Sequence, residues 1–182
     1  MQYQSQKQQI DKQGYRKNVG IIVCNNQHQV LWARRSRHDG WQFPQGGVEH
    51  MESALDAAFR ELHEEIGLVT RDVKLLGSTE NWLRYDVPYT AKRRHYLTTR
   101  QFRGQKQRWF LFHLLAQESC VKLDTVKAPE FDRWRWVDYW WPLEQIVEFK
   151  RGVYKKALTE LEPLLHTADI QPIDSGGQFE AE

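Results

Sequence analysis

The chain has 182 residues, enough for one domain with a full core. Hydrophobic residues make up 40% and aromatic residues 13%, including eight Trp, which excludes a disordered class. A net charge of +2 says little about partners, so the distribution of charge matters more than its total.

Residues 1–13 are Gln-rich and polar, and are expected to form a flexible extension before a single folded domain over 14–166. The opening stretch lacks the apolar core of a secretory signal. No apolar run approaches the roughly 18 residues of a membrane span. A soluble cytoplasmic protein with no membrane partner is therefore expected. The β-branched run Asn18 to Asn25 predicts a buried strand, a turn follows over Asn25 to Gln29, and Val30 to Arg35 predicts a second strand of a hairpin. The segment from His38 to Gly47 predicts a loop with a brief extended piece, broken by Pro44 and glycines.

A helix is predicted next, over the alanine-rich run that begins near Ser53. Ser53 with Asp56 three residues on suits a helix start. Glu52 is expected at the helix entrance, where acids favour the dipole. With about 100° per residue and Leu55 at zero, Ala58, Phe59, Leu62 and Ile66 cluster within about 60° as the buried stripe. Glu61, Glu64 and Glu65 then occupy the shoulder of that stripe. Three partly desolvated carboxylates there repel one another, and a hard divalent cation bound through oxygen would relieve the conflict. A solvated acidic face is the plain alternative.

Beyond the helix, Val73 to Val87 predicts one or two strands, Gln107 to Gln117 a buried strand and Asp132 to Asp138 a short one. Helical patterning begins at Pro142, a residue suited to a first helical position, and resumes over Val153 to Leu165. The alternation implies a mixed sheet covered by helices. Residues 167–182 are expected to be a flexible tail. Cys24 and Cys120 are too far apart in sequence for a metal or redox pair to be read, and are expected to be reduced core residues.

The spacing around the acids is specific. Gly46 is followed after five residues by Glu52, and after seven more by Arg60-Glu61-Leu62-His63-Glu64-Glu65-Ile66-Gly67-Leu68. This pattern resembles the signature of the Nudix hydrolase family, whose members cleave a nucleoside diphosphate linked to another group. The resemblance implies an α/β/α sandwich with a mixed β-sheet and a loop-helix-loop, and Mg²⁺ or Mn²⁺ as cofactor. It implies Glu61 and Glu65 as principal metal ligands, Glu64 as ligand or general base, and Gly46 as a carbonyl ligand. Glu52 and Arg60 would pair or act in the outer shell, and Glu130 would be a further metal-site carboxylate.

The flanks "GYRKNVGI", "WQFPQGG", "NWLRY", "GQKQRWF", "PEFDRWRWV" and "VEFKRGVY" resemble the bacterial branch that removes pyrophosphate from triphosphorylated 5′ ends of RNA and so starts mRNA decay. On that resemblance Arg16 contacts phosphate, and Arg35, Val147, Phe149 and Lys150 hold the next nucleotide. Tyr85, Lys106 and Arg108 are further candidates for phosphate contacts. The implied partner is tri- or diphosphorylated RNA with an unpaired 5′ end, and a monomer is expected. Charge adds its own support. Between Arg84 and Arg108 stand eight Lys or Arg against one acid, Asp86, interleaved with Tyr85, Tyr89, Tyr96 and Phe102. Cations there can meet phosphates and aromatics can stack on bases; a solvated basic loop is the plain alternative. A diadenosine polyphosphate hydrolase and a non-catalytic RNA-binding domain remain the competing functions.

Overall fold

The ten residues Tyr15–Cys24 form strand β1, which lies at the centre of the sheet and reaches the site with its first half. The structure is a computed structural model that describes residues 10–37, 39–91 and 102–167. Most of the expected N-terminal extension, Arg93 and Arg94 of the basic stretch, and the tail beyond 167 lie outside the described residues. The other strands are β2 (Val30–Arg35), β3 (Trp41–Gln42), β4 (Gln45–Gly47), β5 (Val73–Ser78), β6 (Leu83–Asp86), β7 (Gly104–Leu114) and β8 (Phe131–Val137). The helices are α1 (Ala54–Ile66), α2 (Trp141–Gln145) and α3 (Glu148–Leu165). Among the described residues no helix is long and apolar enough to cross a membrane.

Strand β1 pairs with β7 in parallel from Tyr15↔Gly104 to Cys24↔His113. The expected hairpin with β2 is joined only at Cys24↔Val30. From there the two strands part, and β4 takes the place beside β1, from Asn18↔Gly47 to Gly20↔Gln45. β2 instead pairs with β3 and β8, while β7 carries β5 and β6 on its other side. The result is a mixed eight-stranded sheet with an opened seam between β1 and β2.

Alternation along the strands makes two cores. On one face Ile22, Trp32, Trp109 and Leu111 pack with Tyr154, Leu158 and Leu161 of α3. On the other Val19, Ile21, Phe110 and Phe112 pack with Ala57, Ala58, Leu62 and Ile66 of α1. The fold is therefore α/β, with helices on both faces of the sheet. Cys24 is buried and Cys120 half-buried, both as free thiols.

Candidate active site

Helix α1 is fixed at both ends. The Ser53 hydroxyl accepts a bond from the Asp56 N–H at 3.1 Å, which satisfies one of the unpaired donors of the first turn. Gly67 ends the helix in the left-handed region at φ 75°, where its N–H donates to the His63 carbonyl.

The buried face of this helix includes Ala58, Leu62 and Ile66 of the predicted stripe, with Leu55 and Phe59 packed at its edge, but it extends further round the helix. Its buried residues are Ala57, Ala58, Glu61, Leu62 and Ile66, while Leu55 and Phe59 are only half-buried. The face is turned roughly 70° toward the acids, taking about 100° per residue. Glu61 thus stands within it rather than at its shoulder, whereas Glu65 is half-buried and the Glu64 side chain is 46% exposed. Strand β4 explains the shift, because it offers a glycine where a side chain would fill the space. A Cβ on Gly46 would lie 1.7 Å from the carboxyl carbon of Glu61.

Arg60 is the hub of the loop and helix. Its guanidinium donates to both Glu52 oxygens at 2.8 and 3.0 Å, to Glu61 at 2.7 Å and to the Gly47 carbonyl at 2.8 Å. Glu52 does sit at the helix entrance, but this pairing holds its carboxylate, and the Glu49 N–H donates to it as well. The Arg60 charge lowers the Glu52 carboxyl below its ordinary range against the opposing effect of burial.

The parted strands leave a cleft of about 320 Å³. Glu61, Glu65, Gly46 and Glu130 line it together with Arg16, Arg35 and Lys150, and Tyr85 and Phe149 complete the lining. Burial pushes Glu61 up, and it pushes Glu65 well above its ordinary value with the added repulsion of Glu61, Glu130 and Glu64. Glu65 accepts one backbone bond, from the Gln45 N–H at 2.9 Å, and makes no ion pair among the described residues. Glu130 pairs with Arg35 at 3.3 Å.

Three expected phosphate or RNA contacts are not brought into this cleft. Lys106 and Arg108 alternate to the opposite face of β7 from Gln105, which lines the cleft. Lys106 there pairs with Asp11, and Arg108 reaches Ser78 at 3.4 Å. Val147 caps α3 and is 48% exposed, outside the cleft lining. Amides that the sequence pattern did not single out surround the expected Lys150 in the cleft. Lys150 donates to Gln42 at 3.1 Å and to Gln45 at 3.2 Å, and Gln107 donates to Asn18 at 2.6 Å. Asn18, Gln42 and Gln107 are buried, and the available signal was amides placed inside otherwise apolar strands.

Among the described residues no three His, Cys, Asp or Glu side chains are gathered as a metal cluster, since Glu61 is turned to Arg60 and Glu130 to Arg35. The donor set still fits a hard divalent cation. It consists of carboxylate oxygens lining one cleft, and the half-buried Glu65 carboxylate makes no ion pair among the described residues.

Carboxylates and cations that line one cleft, on a Ser53-capped helix packed against a glycine-bearing strand at the seam of a mixed sheet, define the class. The chain belongs to the NUDIX family, and a NUDIX domain matches residues 14–158. It is similar to the RNA pyrophosphohydrolase of Halorhodospira halophila, at 54% identity over 160 residues that cover 88% of this chain and 87% of the relative. It is also similar to the RNA pyrophosphohydrolase of Haemophilus influenzae, at 50% identity over 169 residues, 93% of this chain and 85% of the relative. Among solved structures the fold is shared with E. coli dihydroneopterin triphosphate pyrophosphohydrolase, at TM-score 0.62 and 19% identity, covering 79% of this chain and 94% of that one. It is shared too with a C. elegans Ap4A hydrolase, at TM-score 0.57 and 16% identity, covering 83% and 98%.

Proposed function

We propose that the chain is an RNA 5′ pyrophosphohydrolase, converting a 5′-triphosphate or 5′-diphosphate end to a 5′-monophosphate and so opening the RNA to decay. The observation that carries this is the cleft itself, which gathers Glu61, Glu65 and Glu130 with Arg16, Arg35 and Lys150 in one lining. Relatives at 50% and 54% identity over most of the chain support RNA as the substrate.

In this reading Glu61, Glu65 and Glu130, with the Gly46 carbonyl, hold Mg²⁺, for which Mn²⁺ can substitute. When bound, a divalent cation neutralises pyrophosphate charge and lowers the pKa of water. Arg16 and Arg35 hold the terminal phosphates, which chiefly need positioning and charge stabilisation. Glu64, half-exposed beside the cleft acids, either takes the proton of the attacking water or joins the ligands. Arg60 and Glu52 fix the Glu61 carboxylate. The water oxygen adds to phosphorus, a P–O–P bond breaks, and the released group leaves with its electron pair. Phe149 and Tyr85, with ring centroids 6.1 Å apart, give a base an aromatic wall. The enzyme acts as a cytoplasmic monomer on unpaired ends.

The test is release of phosphate or pyrophosphate from triphosphorylated RNA by the purified chain with Mg²⁺, run beside diadenosine tetraphosphate. Faster hydrolysis of RNA is expected. Turnover of the dinucleotide alone would replace this reading with the dinucleotide enzyme, and turnover of neither would leave a binding domain.

A further inference from the structure

Strand alternation divides the basic residues of the sheet between two faces. Arg16, Tyr85 and Gln105 point into the cleft. Their neighbours Lys17, Arg84 and Lys106 point away from it, and the register places them side by side, Lys17↔Lys106 on β1 and β7 and Lys106↔Arg84 on β7 and β6. Like charges directly opposite on a sheet destabilise it. The fold offsets only part of that cost. Asp11 pairs with Lys106, and Asp86 pairs with Arg103 at 3.3 Å. Lys17 and Arg84 are exposed and make no ion pair among the described residues.

Two aromatic side chains hold these cations in place. The Tyr15 ring is approached by both Arg84 and Arg103, whose guanidinium carbons stand 5.4 and 5.2 Å from its centroid. The Lys17 ammonium stands 5.5 Å from the half-buried Trp82 ring. The Tyr15 hydroxyl donates to Asp86 at 2.6 Å, which locks the ring. Lys17, Arg84 and Lys106 are thus carried on paired strands rather than on a loop, a placement that favours fixed charge geometry.

We propose that this face of β1, β7 and β6 is a second RNA-binding surface, which takes the phosphate backbone of nucleotides downstream of the reacting end. It rests on the RNA reading above. Single-stranded RNA fits the array better than an acidic protein does, because cations are interleaved with aromatic rings on a sheet that carries the cleft on its reverse side. Adjacent residues serve the two faces, Arg16 with Lys17 and Tyr85 with Arg84, so a strand that leaves the cleft over the β6 edge meets the row directly.

The double variant Lys17→Ala with Arg84→Ala tests it, since neither residue belongs to the cleft. Binding of a long single-stranded RNA with a 5′-hydroxyl end is measured against salt, which requires no catalysis. Loss of two phosphate contacts flattens the slope of log affinity against log salt by about 1.4, at about 0.7 per phosphate on single strands. With triphosphorylated substrates, KM rises several-fold for the long RNA and stays unchanged for a dinucleotide, and kcat holds for both. An unchanged salt slope, or equal losses on long and short RNA, overturns the proposal. So does an unchanged RNA slope with weakened binding of polyglutamate, which would make this a face for acidic protein. Failure of the activity reading is seen separately, as absent hydrolysis by the wild type whatever the 5′-hydroxyl RNA does.

Discussion

Burial, and then the charges of Glu61, Glu130 and Glu64, oppose the Glu65 carboxylate, with one backbone N–H as its compensation, so its charge is held at a cost to the fold. Its proton is bound more tightly in the folded chain than in the unfolded one. As pH rises through the ordinary glutamate value of 4.5, the unfolded state ionises first and folding loses free energy. Glu65→Gln is therefore expected to raise the melting temperature of the metal-free protein at neutral pH and to flatten its fall above pH 4.5. Mg²⁺ is expected to raise the melting temperature of the wild type and not that of the variant, because a ligand stabilises only the state it binds. Turnover by the variant is expected to be nearly abolished. A wild-type rate, or a Mg²⁺ shift that survives the substitution, would remove Glu65 from the metal site. The spacing of the acids was plain in the sequence, but their depth was not. Counting apolar residues centres the stripe on Leu55, whereas the pit that admits Glu61 is made by the missing side chain of Gly46, on another element.

At the scale of an element, the caps of α1 set where that pit meets the helix. Ser53→Ala removes the hydroxyl that binds the Asp56 N–H, which costs about 0.5–2 kcal/mol. Urea unfolding is expected to show this loss with kcat unchanged, since Arg60 and β4 still fix the carboxylates; a matching loss of kcat would mean that the cap positions the acids. Helix α3 offers a different test. Phe149 is packed partly against the core and partly lines the cleft. If it stacks on a base, Phe149→Ala is expected to lose about 1–3 kcal/mol on RNA and much less on a mononucleoside triphosphate. Equal losses would make it a core residue only. The cap was legible because Ser53 and Asp56 are three apart. The buried amides of the opposite wall were not, because Asn18, Gln42 and Gln107 come from three strands and share no periodic signal.

Across the whole molecule, the segment before β1 is tied to β7 by an ion pair between distant residues, Asp11 and Lys106. The Lys106 ammonium holds the Asp11 carboxyl down at about 2, against an ordinary value of 3.8. Its contribution to stability is present above pH 3.8 and is lost as pH falls toward about 2. Asp11→Asn is expected to remove that part of the acid limb, seen as a shallower fall in melting temperature over the same range. An unchanged acid limb would mean that the pair is too well solvated to matter. The mixed sheet and its helical layers were legible from the order of periodic segments. The division of the basic stretch was not, since alternation sorts Tyr85 from Arg84 and Gln105 from Lys106 only after β1, β6 and β7 pair.

The parallel pairing of β1 with β7 also governs how the protein comes into being. Tyr15 must wait for Gly104, and Cys24 for His113, before the central ladder can form. At about 5–20 residues per second of synthesis, that is a delay of several seconds. Through it the acidic helix is already synthesised, with Glu61 beside Gly46 of β4 but without the β7 ladder that completes the sheet. Contacts so distant in sequence slow folding, because the closure entropy precedes the contacts that offset it. Glu130 and Lys150 lie beyond β7 in the chain, so both the carboxylates and the cations of the cleft stay incomplete until after that strand is made. A nascent chain that stops short of β7 holds every signature glutamate and has no site.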